Sequence, residues 1–191
     1  MEASITFKAV GKAIGKKTLL ADLSFGVEKG STFVLIGENG SGKSMVLKLL
    51  VGLIEKDTGS VYIHGQDIST RSSETRSICG YMPQIINLDD ELTVMENISI
   101  HGQLHGLSSA EAKKSTHHWA ELLDLTPYLK HYPDKLAYGF QRKVLFARAL
   151  VHNPKVLLLD EPTASLDLKH QIELMALVHA EAVAGMGTVV V

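Results

Sequence analysis

The sequence predicts an α/β fold: a parallel-sheet core, a small antiparallel β subdomain and a helical subdomain inserted into the core. Three observations predict it. A short apolar run, Phe33-Val34-Leu35-Ile36, meets a glycine-rich octapeptide and then a helix-like stretch over residues 45–53. A second apolar run, Val156-Leu157-Leu158-Leu159, is too continuous for a strand with one wet face, so it reads as a parallel strand buried on both. Between them, over residues 92–150, apolar side chains recur at helical spacing.

The elements follow in order. Residues 5–10 and 22–27 read as opening strands, with Gly15-Lys16-Lys17 as the turn between them. Residues 59–63 form another strand, closed by the turn residues His64-Gly65. Over residues 110–125, Ala112, Thr116, Trp119, Ala120 and Leu123 mark one helix face, and Ser108-Ser109-Ala110-Glu111 is a capping arrangement at its start. Trp119 falls on that apolar face, which makes it core rather than a ligand platform. Val144, Ala147 and Val151 stripe a later helix, expected to begin near Gln141. The parallel sheet resumes at Val156, and Thr188-Val189-Val190-Val191 is its last strand. The division is one domain over 1–191, with its core at about 1–87 and 152–191 and the helical subdomain at about 88–151.

The octapeptide is Gly37-Glu38-Asn39-Gly40-Ser41-Gly42-Lys43-Ser44, which matches G-x-x-x-x-G-K-S at every fixed position. Its glycines let backbone N–H groups curl around an anion, and the following helix offers its positive end. Lys43 would reach the β- and γ-phosphates, and the Ser44 hydroxyl would hold Mg²⁺. A glycine-rich turn with a chance lysine is the alternative, and the strand–loop–helix context weighs against it. The apolar strand ending in Asp160-Glu161 delivers two carboxylates where a parallel sheet places its chemistry. Asp160 would hold the Mg²⁺ shell and Glu161 would polarise a water. Together these read as a P-loop NTPase core of the RecA-like kind, with a nucleoside triphosphate and Mg²⁺ as its ligands.

With those motifs in place, the chain resembles the ATP-binding subunit, or nucleotide-binding domain, of ABC transporters over nearly its whole length. Tyr81-Met82-Pro83-Gln84 looks like that family's Q-loop, and Pro162-Thr163-Ala164-Ser165-Leu166-Asp167 looks like the stretch leading to its D-loop. Arg148-Ala149-Leu150 through Asn153-Pro154 matches the helix and connector before the acidic strand. The resemblance implies that Gln84 touches metal and attacking water, sharing catalysis with Lys43 and Glu161. It also implies an integral-membrane transporter as partner, and a second ATP-binding subunit, the same or different, paired head to tail. In that pairing each ATP lies between one phosphate loop and the other chain's signature. The place implied is cytoplasmic, peripheral on the inner face of the cell membrane. Residues 92–97 and His105-Gly106-Leu107-Ser108 look more like exporters than importers.

Three features depart from the family pattern. The signature, usually Leu-Ser-Gly-Gly-Gln, reads Leu136-Ala137-Tyr138-Gly139-Phe140, so only Leu136 and Gly139 remain and the serine hydroxyl is lost. Gly139 would still offer backbone N–H groups to a nucleotide across the dimer. Tyr138 and Phe140 either widen an apolar interface or pack inside the helical subdomain. The usual adenine-stacking aromatic stands as Ile14, which can cover the base without stacking on it. The switch histidine is expected beyond Val191, in a C-terminal part of the family domain that this sequence lacks.

Composition bounds the alternatives. With 191 residues the chain can bury one substantial core, and a formal charge of −2 makes no case for a nucleic-acid partner. No apolar run reaches the length of a membrane span, and no signal peptide is visible. Cys79 is the single cysteine, which fits a reducing compartment and a small buried apolar role. Nine histidines raise a metal site, chiefly His101 with His105 and the pair His117-His118. No third ligand sits at useful sequence spacing, so these are expected on the solvated surface. Two readings stand beside the transporter ATPase. One is a catalytically weak regulatory paralogue, motivated by the signature and Ile14. The other is a non-transport ABC ATPase, whose relatives usually carry two cassettes or a long coiled-coil insert.

Overall fold

The computed structural model describes residues 3–69, 77–164 and 166–190, so Ser165 and Val191 lie outside the described residues. The chain begins with a long hairpin, β1 (Ala3–Ile14) and β2 (Lys17–Glu28), joined through Gly15-Lys16. Both strands run well beyond the expected bounds. The two-residue turn pairs Ile14 with Lys17, so the ladder extends to the very tip, past the apolar stretch that marks each strand in sequence. β4 (Thr58–Ile63) adds to the other edge of β1, and β5 (Gln66–Asp67) closes an antiparallel sheet of order β2-β1-β4-β5.

The second sheet is parallel, with order β3-β8-β7-β6, built from β3 (Thr32–Val34), β6 (Cys79–Met82), β7 (Val156–Leu159) and β8 (Gly187–Val190). All four residues of β7 are fully buried. Alternation along the strand sends Val156 and Leu158 into one apolar core with α1 (Lys43–Leu50) and the antiparallel sheet. Leu157 and Leu159 go to the other face and pack with the helices that follow. That two-sided burial is why the run carries no polar residue.

Those helices are α2 (Val94–Leu104), α3 (Ser109–Leu122) and α4 (Tyr138–Leu150), all between β6 and β7, and α5 (Leu168–Val183) between β7 and β8. Ser108 and Glu111 form the expected capping box on α3, and Thr93 with Glu96 forms a second on α2. Trp119 lies in the helical core as expected. α4 starts at Tyr138 rather than near Gln141. Gly139 does not break the first turn, because Gln141 already donates its N–H to the Ala137 carbonyl at 3.2 Å. Among the described residues, no helix is long and apolar enough to cross a membrane.

Candidate nucleotide site

β3 delivers the glycine-rich loop to the N-terminus of α1, and Gly42 is the hinge. Its φ of 95° is left-handed, and a Cβ there would stand 2.9 Å from the Leu19 carbonyl. The antiparallel hairpin therefore packs directly on the loop. Lys43 Nζ spans the loop, donating to the Gly37 carbonyl at 2.9 Å and the Glu38 carbonyl at 3.1 Å. Lys43 and Ser44 open onto a cleft of about 540 Å³ that Asn39, Gly40, Gly42, Lys48, Gln84 and Glu161 also line. Lys17 and Leu19 of β2 form its outer wall. Lys17 and Lys48 were not among the residues singled out from sequence, since neither belongs to a motif. With Lys43 they make the cleft cationic, as an anion site requires.

The two motifs that lie far apart in sequence meet here. Ser44 Oγ donates to Asp160 Oδ1 at 2.9 Å, and Gln84 Nε2 donates to Glu161 Oε2 at 2.9 Å. Asp160 is 2 % exposed. Burial pushes its carboxyl above the usual carboxylate range, and the nearby Glu161 adds to this; Ser44, Lys48 and Arg142 pull it back. Tyr81, beside it on β6, is pushed up to about 12, by burial first and by Asp160 next. A buried carboxylate next to a hydroxyl and an amide is a hard-oxygen donor set that fits Mg²⁺. Glu161 has φ 47°, a left-handed conformation uncommon for a side chain this long. Such conformations concentrate at functional sites, where the surroundings hold them.

What holds this one is Arg142, a residue the sequence did not point to. It is 1 % exposed, on α4. Its NH1 group donates to the carbonyls of Pro83 at 3.1 Å and Gln84 at 2.6 Å, and its NH2 group to that of Glu161 at 2.6 Å. One guanidinium thus fixes the backbone behind both polar side chains. The signal for it is absent from local sequence: α4 reads as a helix with an apolar stripe, and an arginine there passes for a surface residue.

The remaining expected residues lie apart from the cleft. Ile14, at the tip of β1, is 58 % exposed and pairs across the hairpin with Lys17, which does line it. Asp167 caps α5, accepting from His170 N at 3.0 Å and pairing with His170 Nδ1 at 2.7 Å. In the signature stretch Leu136 is core and Ala137 is the N-cap of α4, with no side-chain cap bond. Tyr138 and Phe140 separate. Tyr138 is exposed, whereas the Phe140 ring lies 4.5 Å from that of Tyr128 and under Lys143 Nζ at 5.6 Å. Gly139 sits in the first turn of α4, next to Leu166. Cys79 is buried, and desolvation pushes its thiol up to about 12, which keeps it inert.

The histidine expectation is corrected in part. His117 and His118 are exposed, but His101 and His105 are only partly so and meet a third histidine, His152. His152 lies 47 residues beyond His105, a spacing that no local pattern reveals.

Comparison with known proteins agrees with this geometry. The model of the family described as "ABC transporter" matches residues 20–164. Nod factor export ATP-binding protein I of Paraburkholderia xenovorans (strain LB400) is 38 % identical over 166 residues, covering 87 % of this chain and 55 % of that protein. Linearmycin resistance ATP-binding protein LnrL of Bacillus subtilis (strain 168) is 35 % identical over 158 residues, 83 % of this chain and 51 % of that one. The chain spans about half the length of these curated relatives. A solved ATP-binding subunit of an ABC transporter superposes with TM-score 0.89 at 27 % identity, covering 97 % of this chain and 78 % of its own. The dimeric bacterial ABC transporter cassette MJ0796 superposes with TM-score 0.89 at 28 % identity, covering 97 % and 86 %. Phosphate loop, acidic strand, inserted helices and these matches agree, and the chain belongs to the ABC transporter family.

Proposed function

We propose that this chain binds MgATP and hydrolyses it, as the peripheral ATP-binding subunit of an exporter-type membrane transporter, working as a head-to-tail dimer. The observation that carries this reading is the double contact across the cleft, Ser44 with Asp160 and Gln84 with Glu161. Phosphoryl transfer to water needs positioning and charge neutralisation more than covalent chemistry. The loop amides from Gly37 to Ser44 cradle the phosphates, and Lys43 leaves its loop carbonyls for the phosphate oxygens. Ser44, Asp160 and Gln84 would hold Mg²⁺, which supplies charge neutralisation at the β- and γ-phosphates. Glu161 accepts a hydrogen bond from the attacking water, and Gln84 orients both. Ile14 covers the base, and Gly139 faces the partner's nucleotide. The helices at about 88–151 form the subdomain that carries this signature.

Export is supported by the name of one relative, Nod factor export ATP-binding protein I. The dimer is supported by the dimeric cassette of the same fold. Steady-state ATPase measurement with and without a copurified integral-membrane protein tests the proposal. Turnover that needs Glu161 and a membrane partner supports it, whereas association with ribosomes or DNA instead of a membrane protein sinks it. Ala137, which caps α4 without a hydroxyl, favours a second reading, a catalytically weak regulatory paralogue. Tight ATP binding with negligible turnover at every protein concentration would select that reading.

A further inference from the structure

We propose that His101, His105 and His152 form a binding site for a divalent transition metal of the zinc class, between the helical layer and the parallel sheet. Each presents one ring nitrogen, and these nitrogens all lie within 4.8 Å of one another. His101 is in the last turn of α2 and His105 is its C-cap. His152 lies in the connection from α4 to β7. Three imidazoles and one open position are a common ligand set for Zn²⁺.

The hydrogen bonds arrange two of the rings as ligands. His152 Nε2 donates to the Cys79 carbonyl at 3.1 Å, and His105 Nδ1 donates to the His101 carbonyl at 3.0 Å. A carbonyl only accepts, so those nitrogens carry hydrogen and the opposite ones, His152 Nδ1 and His105 Nε2, carry lone pairs. A carbonyl behind a metal-bound imidazole is the usual way its tautomer is set. His152 Nδ1 and His101 Nδ1 are both buried without a hydrogen-bond partner. Unsatisfied buried polar atoms are rare and call for an explanation, and a metal ion supplies one for both.

Arg148 opposes a cation. Its guanidinium is engaged by the carbonyl and side-chain oxygens of Asn87.

Tetrahedral coordination at zinc–nitrogen distances of about 2.0–2.1 Å sets ligand nitrogens about 3.3 Å apart. The widest separation must then close by roughly 1.5 Å. The His105 and His152 rings are stacked, with centroids 4.0 Å apart, and would turn about their side-chain torsions to converge. His105 ends a helix and His152 follows one, so neither rotation moves a helix axis. The metal would tie α2 to the start of β6 through His152 and Cys79, on the strand that leads to Gln84.

The test uses the whole chain, stripped with chelator and titrated with Co²⁺, whose tetrahedral complexes absorb strongly in the visible. We expect about one Co²⁺ per chain, displacement by Zn²⁺, and a higher thermal unfolding midpoint with Zn²⁺. His105→Ala, at a partly exposed position, should abolish the absorption while keeping the circular dichroism spectrum and ATP binding. His117→Ala with His118→Ala should leave the absorption intact. The proposal is overturned if the native chain shows no visible band. It is equally overturned if His105→Ala binds as the native chain does, or if the band vanishes with His117 and His118.

Discussion

Arg142 donates to the main-chain carbonyl of Glu161 at 2.6 Å, from a side chain that is 1 % exposed. The same guanidinium holds Gln84 from behind, so one buried cation fixes the spacing of the two side chains that meet across the cleft. Arg142→Met keeps much of the volume and leaves the Pro83 and Gln84 carbonyls without their donor, while the Glu161 carbonyl keeps only the Ala164 N–H. Each buried group left unpaired costs about 1–3 kcal/mol, so we expect destabilisation of at least about 2 kcal/mol. Turnover should fall further than ATP affinity, since the phosphate loop is untouched. Urea unfolding and steady-state kinetics measure both; an unchanged midpoint with full turnover would remove Arg142 from this role.

Lys43→Ala removes the mobile cation that bridges the loop carbonyls of Gly37 and Glu38. Charge-assisted hydrogen bonds are worth roughly 1.5–3 kcal/mol each, so ATP affinity should drop by about ten- to a hundredfold or more. Titration of a fluorescent ATP analogue reads this directly. Near-normal affinity would place the phosphate site elsewhere in the molecule.

Glu161→Gln keeps the shape of the side chain and an amide oxygen able to accept from Gln84 Nε2, but removes the basic oxygen. ATP binding should survive and hydrolysis stop, so that a closed dimer accumulates in the presence of ATP and Mg²⁺. Sedimentation velocity follows the dimer and phosphate release follows the chemistry. A monomeric, fully active variant would show that another group activates the water.

What was legible in the sequence divides along physical lines. The octapeptide and β7 were readable because their constraints are local: a loop that wraps an anion needs glycines, and a strand buried twice needs unbroken apolar residues. Arg142 and His152 were invisible for the opposite reason. Arg142 meets Pro83 across 59 residues of sequence and His152 meets Cys79 across 73, so neither contact leaves a local spacing. The capping box of Thr93 and Glu96, like the octapeptide, is local, a Thr-x-x-Glu spacing that the sequence carries in full. α4 starts three residues before the expected Gln141, because the Ala137 carbonyl accepts from both Phe140 and Gln141 and begins the helix there.

Ala137 gives the last prediction, and its position at the N-cap of α4 separates two effects that one substitution would otherwise merge. Its backbone already has the extended geometry of a cap, φ −59° and ψ 149°, yet its side chain offers no acceptor to the first turn. Serine there would satisfy one of the free N–H groups, which typically adds about 0.5–2 kcal/mol. We therefore expect Ala137→Ser to raise the unfolding midpoint of the nucleotide-free chain. The second effect concerns the partner. If the first turn of α4 faces nucleotide across a head-to-tail dimer, a hydroxyl at this position adds a hydrogen bond of about 0.5–1.5 kcal/mol to that contact. Dimer affinity should then rise about two- to tenfold, measured with ATP in a Glu161→Gln background to block turnover. The capping gain appears without ATP and the dimer gain only with it, so the two are measured independently. A chain that becomes more stable but dimerises no better retains the cap assignment and loses the proposed role of this turn at the interface.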